Sequence, residues 1–222
     1  MPVEVLVPTC DRTAELATTL SGLAAQTDAD FDVVISDQGS EPAAEAPAVR
    51  TMVSVLRAQG RDVRLERHLP RRGLAEQRQF LLTLSSAPAV LYLDDDVWLE
   101  PGMVTRLHRA LVSSGCGFVG AAVQGLSYLE DRRPHEVGAF DLWDDSPAPE
   151  SVGPGSDAFQ RWRLHNAANL VHVAADLDIP EGGWRLYKVA WVGGCVMFAR
   201  ERLLSVGGFS FWPRLSPAHA GE

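Results

Sequence analysis

The stretch Ala89-Val90-Leu91-Tyr92-Leu93-Asp94-Asp95-Asp96 decides how this chain is read. Five apolar residues run without a break into three carboxylates. A short apolar run just after Pro88 predicts a buried strand. Carboxylates at its C-terminal end would stand at the mouth of an open α/β sheet, where such folds bind ligands. Three adjacent negative charges repel one another unless a cation lies between them. Asp oxygens suit hard divalent ions, Mg2+ or Mn2+. A solvated turn at a strand end is the plainer alternative, and the neighbouring sequence decides between the two.

Upstream, Val3 to Val7 reads as a strand that stops at Pro8-Thr9. Leu16, Leu20 and Leu23 then recur along one helical face, with Asp11 or Thr13 as the cap. Val33 to Ser36 is a second strand, ending in Asp37-Gln38-Gly39-Ser40. Val49, Met52, Val53 and Leu56 mark a second helix closed by Gly60; Val63 and Leu65 mark a third strand; Leu74, Gln77, Leu81 and Leu84 mark a third helix. Beyond the carboxylates, Met103, Leu107 and Leu111 predict a fourth helix, and Gly117 to Val123 a further strand. This alternation predicts an α/β fold: a mostly parallel central sheet with helices on both faces.

The regularity ends near Gly125. Residues 141–156 are acidic and rich in Pro and Gly, which predicts a surface loop. Phe159 to Val173 reads as a partly buried helix. Val189 to Val192 and Cys195 to Phe198 read as buried strands around Gly193-Gly194, with Trp191 in the core, and Arg200 to Val206 as a short helix.

Composition narrows the function. The chain has 222 residues, 46% of them hydrophobic and 22% charged, enough for one sizeable core or two small ones. A net charge of -9 argues against non-specific nucleic-acid binding. No apolar run approaches the ~20 residues of a membrane helix, and Met1 to Val5 lacks the marks of a signal peptide. Cys10, Cys116 and Cys195 are few and far apart; they read as reduced thiols of a cytoplasmic protein, not as a disulfide frame or zinc site. No Gly-x-Gly-x-x-Gly follows the first strand and no P-loop is present, which disfavours dinucleotide and P-loop folds.

Five stretches in order carry a more specific signal: Val5-Leu6-Val7-Pro8-Thr9; Val33 to Ser40; Arg72-Gly73-Leu74-Ala75-Glu76-Gln77-Arg78; Leu93-Asp94-Asp95-Asp96; and Gly193-Gly194 with Arg200-Glu201 and Val206-Gly207-Gly208-Phe209. Together they resemble the signatures of family 2 glycosyltransferases. The resemblance implies the GT-A fold of nucleotide-diphospho-sugar transferases, inversion at the sugar, and a divalent metal, Mg2+ or Mn2+. It implies one domain over 1–222: a nucleotide-sugar-binding half at 1–123 and an acceptor-side half at 124–222, the latter truncated at its C-terminus. The implied donor is a nucleotide-diphospho sugar, with a UDP-sugar favoured; the acceptor, a glycan, lipid or small molecule, is not implied.

The same resemblance assigns roles. Pro8 and Thr9 would border the base and ribose, and Asp37 would accept a hydrogen bond from the base. The family's second Asp in that turn is Gln38 here. Arg72 and Arg78 would flank base and phosphate, though surface helix charge is an equal reading. Asp94 would touch ribose or sugar, with Asp95 as the variable middle position, and Asp96 would bind the metal. Gly193 and Gly194 would let the backbone approach the donor or acceptor. The family's catalytic base follows its Gly-Gly-Phe segment, so Glu222, at the end of the chain, is the nearest counterpart. The chemistry is coherent by itself: the departing diphosphate gains charge that a carboxylate-held metal stabilises, and the acceptor hydroxyl needs a base. A nucleotide-sugar-binding module without turnover, a sugar nucleotidyltransferase and an Asp-x-Asp phosphatase are the competing readings.

Overall fold

The computed structural model describes residues 2–26, 30–122, 132–144, 146–165 and 167–214. The apolar run is a strand, β4 (Ala89–Leu93), buried along its whole length. Successive side chains of a strand face opposite sides. Accordingly Ala89, Leu91 and Leu93 enter one core while Val90 and Tyr92 enter another. Burial on both faces explains why the run lacks polar alternation. β1 (Val3–Thr9) behaves alike: Val3, Val5 and Val7 pack on one side and Leu6 on the other.

β2 (Phe31–Asp37), β3 (Val63–Arg67), β5 (Phe118–Gly120) and β6 (Cys195–Ala199) complete a six-stranded sheet of order β3-β2-β1-β4-β6-β5. The first four in that order are parallel. β6 lies antiparallel between β4 and β5. Thr9 pairs with Asp37, and Leu6 with Tyr92. The C-terminal ends of β1, β2 and β4 therefore reach the same edge of the sheet.

Helices α1 (Thr13–Ala24), α2 (Pro47–Ala58) and α4 (Met103–Ser114) cover one face through Leu16, Leu20, Val49, Leu56 and Leu107. On the other face lie α3 (Leu74–Leu84), through Leu81 and Leu82, and, late in the chain, a short helix at Arg200–Ser205, through Leu203. Each such side chain contributes ~1.5–3 kcal/mol by leaving water. The sheet-and-helix alternation predicted from sequence is thus the observed architecture. Among the described residues no helix is long and apolar enough to cross a membrane.

The structure departs from the sequence reading at four places. Arg12, not Asp11 or Thr13, holds the N-cap position of α1 and makes no capping bond; Asp11 has a φ of 58°, and its carboxylate goes to Ser40 instead. The strand predicted from Gly117 spans only Phe118–Gly120, and its predicted end, Val123, lies outside the described residues. Asp157–His165 is a 3-10 helix followed by an α-helix at Ala167–Ala175, not one continuous helix. Val189 to Val192 is not a strand. β6 already has a partner on each side, which leaves no edge for it there. Trp191 is consequently 47% exposed rather than buried in the core.

Candidate functional site

At the shared edge a cleft of about 360 Å³ opens. Pro8 and Thr9 line it from the end of β1, with Cys10 and Arg12 from the turn into α1. Gln38 enters from the end of β2, Arg71 and Gly73 from the β3–α3 connection, Leu74 from the start of α3, and Asp94, Asp95 and Asp96 from the end of β4. Both the fold and the cleft thus converge on the strand ends singled out by sequence.

The three carboxylates face three different partners. Asp94 Oδ1 accepts from Arg78 Nη2 at 2.8 Å, and the Asp94 backbone N–H donates to the Gly194 carbonyl at 2.8 Å. Gly194 has a φ of 75°, a conformation that suits glycine, so Gly194 bends the chain to meet Asp94. Asp95 is buried, and its Oδ2 accepts from the Thr9 hydroxyl at 2.7 Å. Burial pushes the Asp95 carboxyl up from its ordinary value, with Asp96 and Asp94 adding repulsion; Thr9 and Arg12 pull the other way. Asp96 is exposed, and its Oδ2 accepts from Arg12 Nη2 at 2.7 Å. Arg12 Nε also lies 3.6 Å from Asp95 Oδ1. One guanidinium therefore bridges two of the three carboxylates.

Asp37 stands at the end of β2 but turns inward. Its Oδ1 accepts from the Gly39 N–H at 2.8 Å, and its Oδ2 from the Ala43 N–H at 2.7 Å and Arg67 Nη1 at 2.9 Å. A carboxylate offers about four acceptor positions; three are used, and the side chain is only 4% exposed. Gly39 is needed in this turn because a Cβ there would lie 3.0 Å from both Asp11 N and Asp37 Oδ1.

The remaining residues proposed from sequence separate. Arg72 is exposed and its guanidinium lies 5.9 Å over the Trp212 ring; it is not among the residues that line the cleft. Arg78 is held by Asp94 and braced from behind, its carbonyl accepting from Tyr92 Oη at 2.8 Å. Gly193 and Gly194 flank the end of β4, not the cleft wall. Glu222 lies outside the described residues.

Sequence reasoning missed several contributors. Arg12 and Arg71 border the cleft, and the only signal for them is their place in the turns after β1 and β3. Gln77 marks a helix face by its spacing, yet it is buried and its Nε2 donates to the carbonyls of Thr9 at 3.0 Å and Ser36 at 2.6 Å. It ties the ends of β1 and β2 together where the sheet ladder gives out. Glu76, beside it, is also buried and accepts from Gln38.

The fold is similar to that of the mannosyltransferase PcManGT from Pyrobaculum calidifontis, solved in complex with GDP-Man and Mn2+. The TM-score is 0.56 with 18% sequence identity, over 93% of this chain and 46% of that one. It is similar as well to S. aureus TarS 1-349, solved in complex with UDP-GlcNAc. There the TM-score is 0.45 with 18% identity, over 59% of this chain and 39% of that one. This chain matches less than half the length of either. No curated protein matches it significantly. Residues 4–169, most of the chain and all of the cleft, match the model described as glycosyl transferase family 2, and the chain belongs to that family.

Proposed function

We propose that this chain is a glycosyltransferase whose cleft holds the nucleotide diphosphate of an activated sugar, a UDP-sugar being the favoured donor, and that the sugar passes to an acceptor hydroxyl with inversion. One observation carries the reading. In a family 2 domain, Arg12 and Arg71 line one cleft together with Asp94 and Asp96, at the C-terminal ends of parallel strands. Arginines suit phosphate oxygens, and strand ends at such a crevice are where α/β sheets take ligands. Pro8 and Thr9 border the base and ribose. Asp94, fixed by Arg78 and by the Gly194 carbonyl, is placed to hold a sugar or ribose hydroxyl. Arg72 is assigned no donor contact, since it points to Trp212.

The residues fit a divalent ion. Among the described residues no three His, Cys, Asp or Glu side chains converge on a metal site. Mg2+-type ions are usually bound by one or two carboxylates plus substrate phosphates, not by an all-protein cage. Asp96 supplies a hard oxygen at the cleft with its side chain 48% exposed, and Arg12 already shows that a cation is stable beside it. A divalent ion shared by Asp96 and the diphosphate would stabilise the charge on the departing nucleotide. Asp95 contributes by holding the strand end to Thr9. No proton acceptor for the hydroxyl is assigned among the described residues. The three cysteines are free thiols, which supports placement in the reducing cytoplasm.

A thermal-shift panel of nucleotide sugars, including UDP-GlcNAc and GDP-Man, with and without Mn2+, tests the reading, because a ligand of the native state raises its stability by mass action. Metal-dependent stabilisation by one donor, with slow release of free sugar, supports it. Stabilisation without any sugar release would make the chain a binding module. No stabilisation by any donor would overturn the proposal.

A further inference from the structure

The loop that carries the three carboxylates runs from Asp94 to Gly102 without helix or strand. It is pinned along one side by α1. At its start the Asp94 carbonyl accepts from the Val97 N–H at 3.3 Å, which closes a turn with Asp95 and Asp96 at its centre. The same carbonyl accepts from the buried Thr19 hydroxyl at 3.4 Å. Further along α1, Gly22 is the seat for Trp98 and Leu99. A Cβ there would lie 2.7 Å from the Leu99 backbone nitrogen and 3.1 Å from Trp98 Cδ1. Gln26, just past the end of α1, is fully buried. Its Nε2 donates to the carbonyls of Glu100 at 2.8 Å, Gly22 at 3.1 Å and Leu99 at 3.4 Å. Its Oε1 accepts from the Val104 N–H at 3.3 Å.

Thr19, Gly22 and Gln26 thus recur at i, i+3 and i+7, along one side of the helix. What they hold is backbone. Buried loop N–H and C=O groups need partners, and the first N–H groups of a helix have none within it. The N-cap of α4, Gly102, makes no side-chain cap, so Gln26 caps α4 from a different helix. A buried amide is costly unless its own hydrogen bonds are made, and Gln26 makes them by joining Leu99, Glu100 and Val104. The opposite end of α1 supplies Arg12 to Asp96. One helix therefore sets the place of the whole carboxylate loop.

Resting on the donor-site reading above, we infer that Gly22 and Gln26 are positioning residues for the Asp96 carboxylate. Through the stretch from Trp98 to Val104 they fix how far the Asp94–Val97 turn stands into the cleft, and so whether Asp96 and a diphosphate can share one ion. A Mg2+-sized ion demands its oxygens at about 2.0–2.1 Å, and a supporting shell must hold such a ligand to within ~0.5 Å. Displacing the loop weakens metal-bridged binding. Pro8 and Arg71, which line the cleft from β1 and from the β3–α3 connection, stay where they are and keep the metal-free contacts.

Calorimetric titration of UDP and of GDP into the full chain, each with and without Mn2+, tests this through the ratio of the two affinities. In the parent that ratio should be at least about tenfold for one diphosphate. Gly22→Ala brings in a better helix former, so α1 itself is not weakened, yet the new methyl must push Leu99 away. The ratio should fall to about threefold or less, since misplacement by ~1 Å can cost a site ~100-fold. The metal-free affinity should stay within about twofold of the parent's. Gln26→Met, close in length but without the amide, should behave the same way, and each variant carries the test if the other does not fold. Val53→Ala, a core truncation on α2, should lower the melting temperature and leave the ratio at the parental value. Parental ratios in Gly22→Ala and Gln26→Met would make their role merely structural. That result, or metal-free and metal-bound affinities that fall together, overturns the inference and leaves the donor-site reading standing. A parent that binds neither diphosphate, or binds them without regard to Mn2+, overturns the metal reading and this inference with it.

Discussion

Arg12 donates to Asp96 at 2.7 Å, so the carboxylate proposed to meet a metal already carries a cation. Both side chains are close to half exposed, and such pairs are worth only ~0–1 kcal/mol. The pair can therefore open readily when a metal and a diphosphate arrive. It also relieves the repulsion that three adjacent carboxylates would otherwise suffer.

The first prediction follows from that competition. Arg12→Ala should tighten Mn2+ binding to the protein alone by about two- to fivefold, the ceiling set by an exposed ion pair. The same change should weaken nucleoside diphosphate binding about 10- to 100-fold, the range for a hydrogen bond to a charged group. Mn2+ titration followed by electron paramagnetic resonance checks the first half and calorimetry the second. Mn2+ binding that weakens in the variant would mean that Arg12 organises Asp96 and does not compete for it.

Asp37 holds its loop through two buried N–H groups and Arg67. Asp37→Ala should destabilise the fold by about 2–4 kcal/mol, since each buried group left unpaired costs about 1–3 kcal/mol. Urea unfolding measures this. A variant within about 0.5 kcal/mol of the parent, the usual scatter of surface changes, would show that the loop does not depend on the carboxylate.

Much of this was legible in the sequence, and the failures have physical causes. The buried strands show as unbroken apolar runs because helices cover both faces, and the strand-end carboxylates locate the cleft. Sequence does not show where a carboxylate points. Asp37 and Asp96 read alike as strand-end acids, yet Asp37 is swallowed by its own turn and Asp96 is not. Long side chains acting across elements were also invisible: Gln77 reaches Thr9 and Ser36 from α3, and its apolar helix neighbours disguise it as a core position. Val189 to Val192 has strand composition, but the adjoining β6 is already paired on both sides by β4 and β5, which is a property of the sheet and not of those residues.

Asp95 gives a pH dependence whose sign is fixed by its environment. Burial raises its folded-state pKa, and Asp96 and Asp94 add to the shift. The native state therefore binds the proton more tightly than the unfolded chain, and this contribution to stability is present at acid pH and lost as pH rises through the raised value. Asp95→Asn imitates the protonated form and can still accept from Thr9. It should raise the melting temperature relative to the parent at about pH 7.5, and the advantage should vanish near pH 3.5, below the ordinary Asp value of about 3.9. An advantage of equal size at both pH values would mean that the charge on Asp95 is not what destabilises it.

The central claim is that Asp96 and a nucleotide diphosphate share a divalent ion in this cleft. The direct measurement is calorimetric titration of UDP and GDP into the parent and Asp96→Ala, each with and without Mn2+. The parent should bind one diphosphate at least tenfold more tightly with Mn2+ than without. Asp96→Ala should lose that Mn2+ dependence while melting as a folded protein. Equal affinity in the parent and in Asp96→Ala with Mn2+ present would contradict the account.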